Sequence, residues 1–92
     1  MRQIFFSKKA RKSLRRLRNS GHFDQAKIGF VINTLATGKI LPPQFRNHSL
    51  QGKYIGCFEC HLKDNLLMIY EIDYTENTLI IVDIGTHSEL FE

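Results

Sequence analysis

The chain has 92 residues, 42% of them hydrophobic and 24% charged, with a formal net charge of +4. That length allows one domain, spanning residues 1–92, and the apolar fraction excludes wholesale disorder. No apolar run approaches the roughly 18 residues of a membrane span, and Met1–Phe6 is too short for a signal peptide, so a soluble, cytoplasmic protein away from the membrane is expected.

The charge is unevenly spread. Residues 1–53 carry twelve Lys/Arg against one acid, Asp24, whereas residues 54–92 carry Lys63 alone against eight acids. A half-chain at +11 points to contact with phosphate, in nucleic acid, or with an acidic protein. The plainer reading is a helix with a solvated charged face.

Met1–Phe6 reads as a short strand. Ser7 suits the N-cap of a helix running to about Arg18 and closed by Asn19-Ser20-Gly21. At helical spacing Ala10, Leu14 and Leu17 share one side, and Lys8, Arg11, Lys12, Arg15 and Arg18 gather on the other. Asp24 caps a second expected helix to about Thr37, carrying Ile28, Val31, Ile32 and Leu35 on its apolar side. Leu41-Pro42-Pro43 then opens a loop through Gly52. Three apolar runs follow, Tyr54–His61, Leu66–Asp73 and Thr78–Ile84, separated by short polar breaks, as in an antiparallel meander. The expected fold is α+β, β-α-α-β-β-β, with two N-terminal helices packed on one face of a small, mainly antiparallel four-stranded sheet.

Cys57-Phe58-Glu59-Cys60-His61 spells a haem-attachment string, C-x-x-C-H. On a strand, however, Cys57 and Cys60 point to opposite faces, and no second closely spaced ligand pair completes a zinc site. Neither metal nor cofactor is expected, and the cysteines read as small apolar side chains. The histidines are more informative. His48 lies in the polar loop, His61 at the end of the first meander strand, and His87 just after the last. The meander runs those two strands parallel, so His61 and His87 should approach one another beside Lys63, Asp64 and Asn65. Two or three imidazoles beside a basic surface provide the acid and base that RNA phosphodiester cleavage requires.

The strings Asn47-His48-Ser49-Leu50-Gln51-Gly52, Gly56, His61-Leu62, Leu67-Met68-Ile69-Tyr70 and Gly85-Thr86-His87-Ser88-Glu89-Leu90-Phe91, in this order, resemble the YafQ branch of the RelE/ParE toxin superfamily. The resemblance spans essentially the whole chain. It implies a type II toxin: a ribosome-dependent mRNA endonuclease that leaves a 2′,3′-cyclic phosphate without a metal. A small antitoxin encoded by the adjacent gene would hold it inactive, with scope for a higher-order complex. It also implies that His48, His61 and His87 are active-site histidines and that Phe91 is the aromatic beside them. His87 is then the general acid and His48 the general base, with His61 orienting the phosphate or sharing the base role. Phe91 reads equally as a plug closing the last turn and as a base-stacking platform.

The chain departs from the family pattern twice. Pro-Asp-Trp is replaced by Asp64-Asn65-Leu66, which puts Asn65 at the aspartate position, and Asp83 stands where an arginine would stabilise transition-state charge. Lys63, Lys53 or Arg46 would have to supply that charge. The basic helix face, from Lys8 to Arg18, is expected to bind ribosomal RNA. Two alternatives stand beside this reading: a non-cleaving, gyrase-poisoning toxin of the ParE type, and a decayed toxin acting only through antitoxin binding.

Overall fold

In the computed structural model, which describes residues 1–21 and 23–92, the capping and periodicity signals of the N-terminal half lead into a five-stranded sheet. The elements are β1 (Gln3–Phe6), α1 (Lys8–Ser20), α2 (Gln25–Ala36), β2 (His48–Ser49), β3 (Phe58–Lys63), β4 (Leu66–Asp73), β5 (Thr78–Gly85) and α3 (His87–Phe91). Single 3₁₀ turns lie at Pro43–Phe45 and Gly52–Tyr54. The strand order is β1-β5-β4-β3-β2, with β1 parallel to β5 and every other pair antiparallel.

α1 starts where Ser7 Oγ accepts the backbone N–H of Ala10 at 2.9 Å. The same hydroxyl donates to the Val82 carbonyl at 2.6 Å, so the cap also pins the helix to β5. Gly21, at φ 79°, supplies the left-handed residue that ends the helix. α2 starts at Asp24, whose carboxylate accepts from the backbone N–H of Lys27 at 3.0 Å.

Both helices pack on one face of the sheet. There Ala10, Leu17, Ile28, Val31 and Leu35 meet Cys60, Leu62, Met68, Tyr70, Leu79, Ile81 and Ile84. Burying each large aliphatic side chain contributes about 1.5–3 kcal/mol, and this layer holds most of the core. A smaller cluster lies on the opposite face, where Leu90 of α3 covers Leu67 and Ile69, flanked by Leu50, Tyr54, Cys57 and Val82.

Among the described residues the sheet therefore has five strands rather than four, and the α-helices number three rather than two. The extra strand, β2, is only His48–Ser49, paired with Glu59 and Phe58 of β3. The first meander strand begins at Phe58 rather than Tyr54, because a 3₁₀ turn and Gly56, at φ 92°, break the extended run. β3 continues to Lys63, which leaves Asp64-Asn65 as the two-residue connection to β4.

Candidate active site

Strand alternation sets the first half of the site. Cys60 and Leu62 of β3 enter the core under the helices, so Glu59 and His61 project from the other face. β2 places His48 directly opposite Glu59. Glu59 is 6% exposed, and its Oε1 lies 3.4 Å from His48 Nε2 and 3.5 Å from His61 Nε2. The two imidazole rings are 6.2 Å apart between centroids.

The tautomer of His48 follows from its other nitrogen. Nδ1 is 2.7 Å from the Arg46 carbonyl oxygen, which can only accept, so Nδ1 carries the proton. Nε2 is then the atom free to take a second proton, and the Glu59 carboxylate opposite holds it once it arrives. His61 Nε2 lies against that same oxygen at 3.5 Å, so one carboxylate oxygen faces both imidazoles.

α3 sets the second half. Thr86 caps it: its hydroxyl accepts the Glu89 N–H at 3.2 Å, while the Glu89 carboxylate accepts the Thr86 N–H at 2.8 Å. That backbone N–H, more than neighbouring Arg16, holds the Glu89 carboxyl below the usual carboxylate range. His87 is the first residue of α3 and is exposed, its ring 5.1 Å from Phe91 and its Nδ1 3.7 Å from Glu92. Phe91 rests edge-on against Tyr54 at 5.7 Å. Leu90, 3% exposed, is buried against Leu67 and Ile69, whereas Phe91 is 38% exposed.

The register relates the two halves. His61 pairs with Leu67 and Leu67 with Gly85, so His61 and the entrance to α3 are two strand spacings apart, roughly 10 Å. The ring contacts of the histidines, among the described residues, are His48–His61 and His87–Phe91. The expected His61–His87 pairing gives way to these because β2 brings His48 alongside His61. The result is a site on one face of the sheet, with a Glu59-linked imidazole pair toward one edge and an exposed imidazole beside an aromatic ring at the start of α3.

Both departures from the family pattern have structural roles. The Asn65 Oδ1 accepts the backbone N–H of His87 at 3.4 Å, so it helps to position α3. Asp83 turns away from the site. It accepts from Ser13 Oγ at 2.6 Å and from the Ile84 N–H at 2.8 Å, lies 3.6 Å from Lys9 Nζ, and is 3% exposed. An extra residue in β5, Val82, shifts the register that brings Asp83 against α1.

Of the seven cations of α1, the five expected to face RNA, Lys8, Arg11, Lys12, Arg15 and Arg18, are all exposed. Arg46, Lys53 and Lys63 are exposed near the site, with Lys53 Nζ 5.3 Å from the Tyr54 ring centroid. Cys60 is fully buried and its thiol is pushed up to about 12 by burial; Cys57 belongs to the opposite cluster, with burial raising its thiol as well. Glu59 is the residue that sequence reasoning missed. Its signal was the i, i+2 spacing to His61, which places both on one face of a strand.

The chain matches, over residues 2–92, the family described as the bacterial toxin of type II toxin–antitoxin system, YafQ. It belongs to the YafQ toxin family. This YafQ-family chain is 29% identical over 77 residues, 83% of its length and 82% of the other's, to the mRNA interferase toxin YafQ of Escherichia coli K12. Its fold is similar to a metal-bound toxin from Helicobacter pylori, at 44% identity and a TM-score of 0.93 over 99% of this chain and 100% of that one. It is also similar to a chain of the E. coli DinJ–YafQ toxin–antitoxin complex, at 26% identity and a TM-score of 0.86 over 99% and 98% of the two chains.

Proposed function

We propose that this YafQ-family toxin is an mRNA interferase that cuts ribosome-bound mRNA by attack of the 2′-hydroxyl on the neighbouring phosphate. The observation that carries the reading is Glu59 Oε1 lying 3.4 Å and 3.5 Å from the Nε2 atoms of His48 and His61, on the sheet face that also carries α3 and His87. His48 Nε2 takes the proton from the 2′-hydroxyl, and Glu59 stabilises the imidazolium that results. The alkoxide bonds to phosphorus, the P–O5′ bond breaks, and His87 donates its proton to the departing 5′-oxygen. The products are a 2′,3′-cyclic phosphate and a 5′-hydroxyl. His61 shares the proton or holds a phosphate oxygen, and Phe91 offers a face on which a base stacks. All the protons in this scheme are handled by side chains, so the scheme requires no cofactor.

The partner is a small antitoxin from the adjacent gene, docking an acidic or amphipathic segment on the basic half. The solved DinJ–YafQ complex supports that reading by similarity. Mass analysis of RNA ends after the purified toxin meets programmed ribosomes tests the activity. Cyclic-phosphate ends from the wild type and none from His48→Gln are expected; equal cutting by both would overturn the role of His48. Co-expression with the adjacent small gene is expected to relieve toxicity and yield a stable complex.

A further inference from the structure

A cavity of about 370 Å³ opens beside His61, between the first turn of α2, the 3₁₀ turn at Pro43–Phe45 and the β3–β4 turn. Its charged lining is Lys27, Arg46 and Lys63 against one acid, Asp64, and Gln44 also lines it. Among the described residues, none of the three cations is in an ion pair.

Lys27 is the third residue of α2, beside its N-cap Asp24, whose carboxylate accepts the Lys27 backbone N–H at 3.0 Å. Arg46 sits where the fold disfavours a non-glycine residue, in a left-handed backbone with φ 47° and ψ 47°. That same conformation presents the Arg46 carbonyl to His48 Nδ1 at 2.7 Å, while the side chain lines the cavity. One strained residue thus links the cavity to the orientation of the proposed base.

We infer that this cavity is the subsite for one nucleotide of the strand being cut, next to the scissile phosphate. Lys27, Arg46 and Lys63 bind its phosphate, and Gln44 faces its base. The inference rests on the interferase reading and names the residues that hold the substrate there. A volume of about 370 Å³ lies at the lower end of small-ligand sites, the size of a single nucleotide rather than a duplex. His61 lines the cavity and also lies 3.5 Å from Glu59, so the cavity adjoins the imidazole pair. The Gln44 amide offers a donor and an acceptor, the chemistry that reads an unpaired base edge. These charges also replace the cation that Asp83, turned against α1, does not supply.

The double variant Lys27→Gln/Arg46→Gln tests the inference on programmed ribosomes. The Arg46 carbonyl contact is backbone and is retained. A fall of at least tenfold in kcat/KM is expected, with ribosome co-sedimentation and antitoxin capture unchanged. Gln44→Ala is expected to alter which nucleotides flank the cuts. In the wild type, a 2′-O-methyl RNA trinucleotide, which cannot be cut, is expected to shift the amide resonances of Lys27, Gln44 and Arg46.

Wild-type cleavage rates in the double variant would overturn the subsite. So would a loss that tracks ribosome co-sedimentation, which would assign the cations to ribosomal RNA, or one that tracks antitoxin capture. Amides that stay put at millimolar trinucleotide would overturn it too. A wild type that does not cut RNA removes the interferase reading and the subsite together. A wild type that cuts while the variant matches it removes the subsite alone.

Discussion

At the scale of single residues, the site depends on a carboxylate that is easily overlooked. Glu59 reads in the sequence as one more polar position in an apolar run, yet it is nearly buried and faces two imidazoles. Glu59→Gln keeps the shape but removes the charge that holds a proton on Nε2. Single-turnover cleavage on ribosomes is expected to fall about 10²-fold or more, with little change in thermal midpoint; unchanged cleavage would contradict the role. His61 and His87 stand at the ends of readable strands and His48 in the loop before them, so the sequence offers all three as candidates. Glu59 was not legible, because its significance depends on β2 placing His48 opposite it. Buried acids of another kind make the fold sensitive to alkali. Burial pushes the Cys60 thiol from 9.0 and the Tyr70 phenol from 10.0 to about 12. In the unfolded chain both lose protons near their ordinary values, so the folded state holds protons more tightly above about pH 9. Stability is therefore full below pH 9 and declines as pH rises toward 12. Urea midpoints measured from pH 7 to 11 are expected to drop above pH 9, and a flat profile would contradict the assignment.

At the scale of elements, the ties between helices and sheet decide what each departure from the family pattern costs. Asp83 joins β5 to α1 through Ser13 and Lys9, so it belongs to the core side of the sheet. Asp83→Arg restores the pattern on paper only. It would bury an unpaired cation beside Ser13 and is expected to lower unfolding stability by about 3–5 kcal/mol without raising cleavage. Denaturant titration and the cleavage assay check both halves of that statement. α3 is held at one end by its cap, and Thr86→Ala is expected to cost about 1 kcal/mol and to loosen His87 and Phe91 together. Amide exchange across residues 87–91 reports it. The two long helices and the meander were legible because caps and periodicity agree there. β2 was not, since two residues carry no period, and α3 went unread although Thr86 and Glu89 have capping-box spacing. Gly56 explains the late start of β3, because its left-handed backbone overrode the strand propensity of Tyr54 and Ile55.

At the scale of the whole molecule, charge and site are proposed to be organised around RNA and an inhibitor. The exposed cations of α1 are proposed to track phosphates, and changing Lys12, Arg15 and Arg18 to Gln is expected to weaken ribosome association and flatten its salt dependence. Binding that stays unchanged across a salt titration would contradict that role. The sheet carries its helical core on one face and the reactive groups with α3 on the other, so substitutions in the site leave most of the core intact. That separation makes His87 the most direct test of the account. Wild type and His87→Gln are placed on the same programmed ribosomes, and the cut mRNA is analysed by primer extension and mass. The wild type is expected to leave 2′,3′-cyclic phosphate and 5′-hydroxyl ends. The variant, folded and still bound to ribosome and antitoxin, is expected to cut about 10²–10⁴-fold more slowly. A variant that cuts at the wild-type rate would contradict the acid role, and a wild type that is toxic while its mRNA stays whole would contradict the nuclease altogether and favour a gyrase-directed toxin.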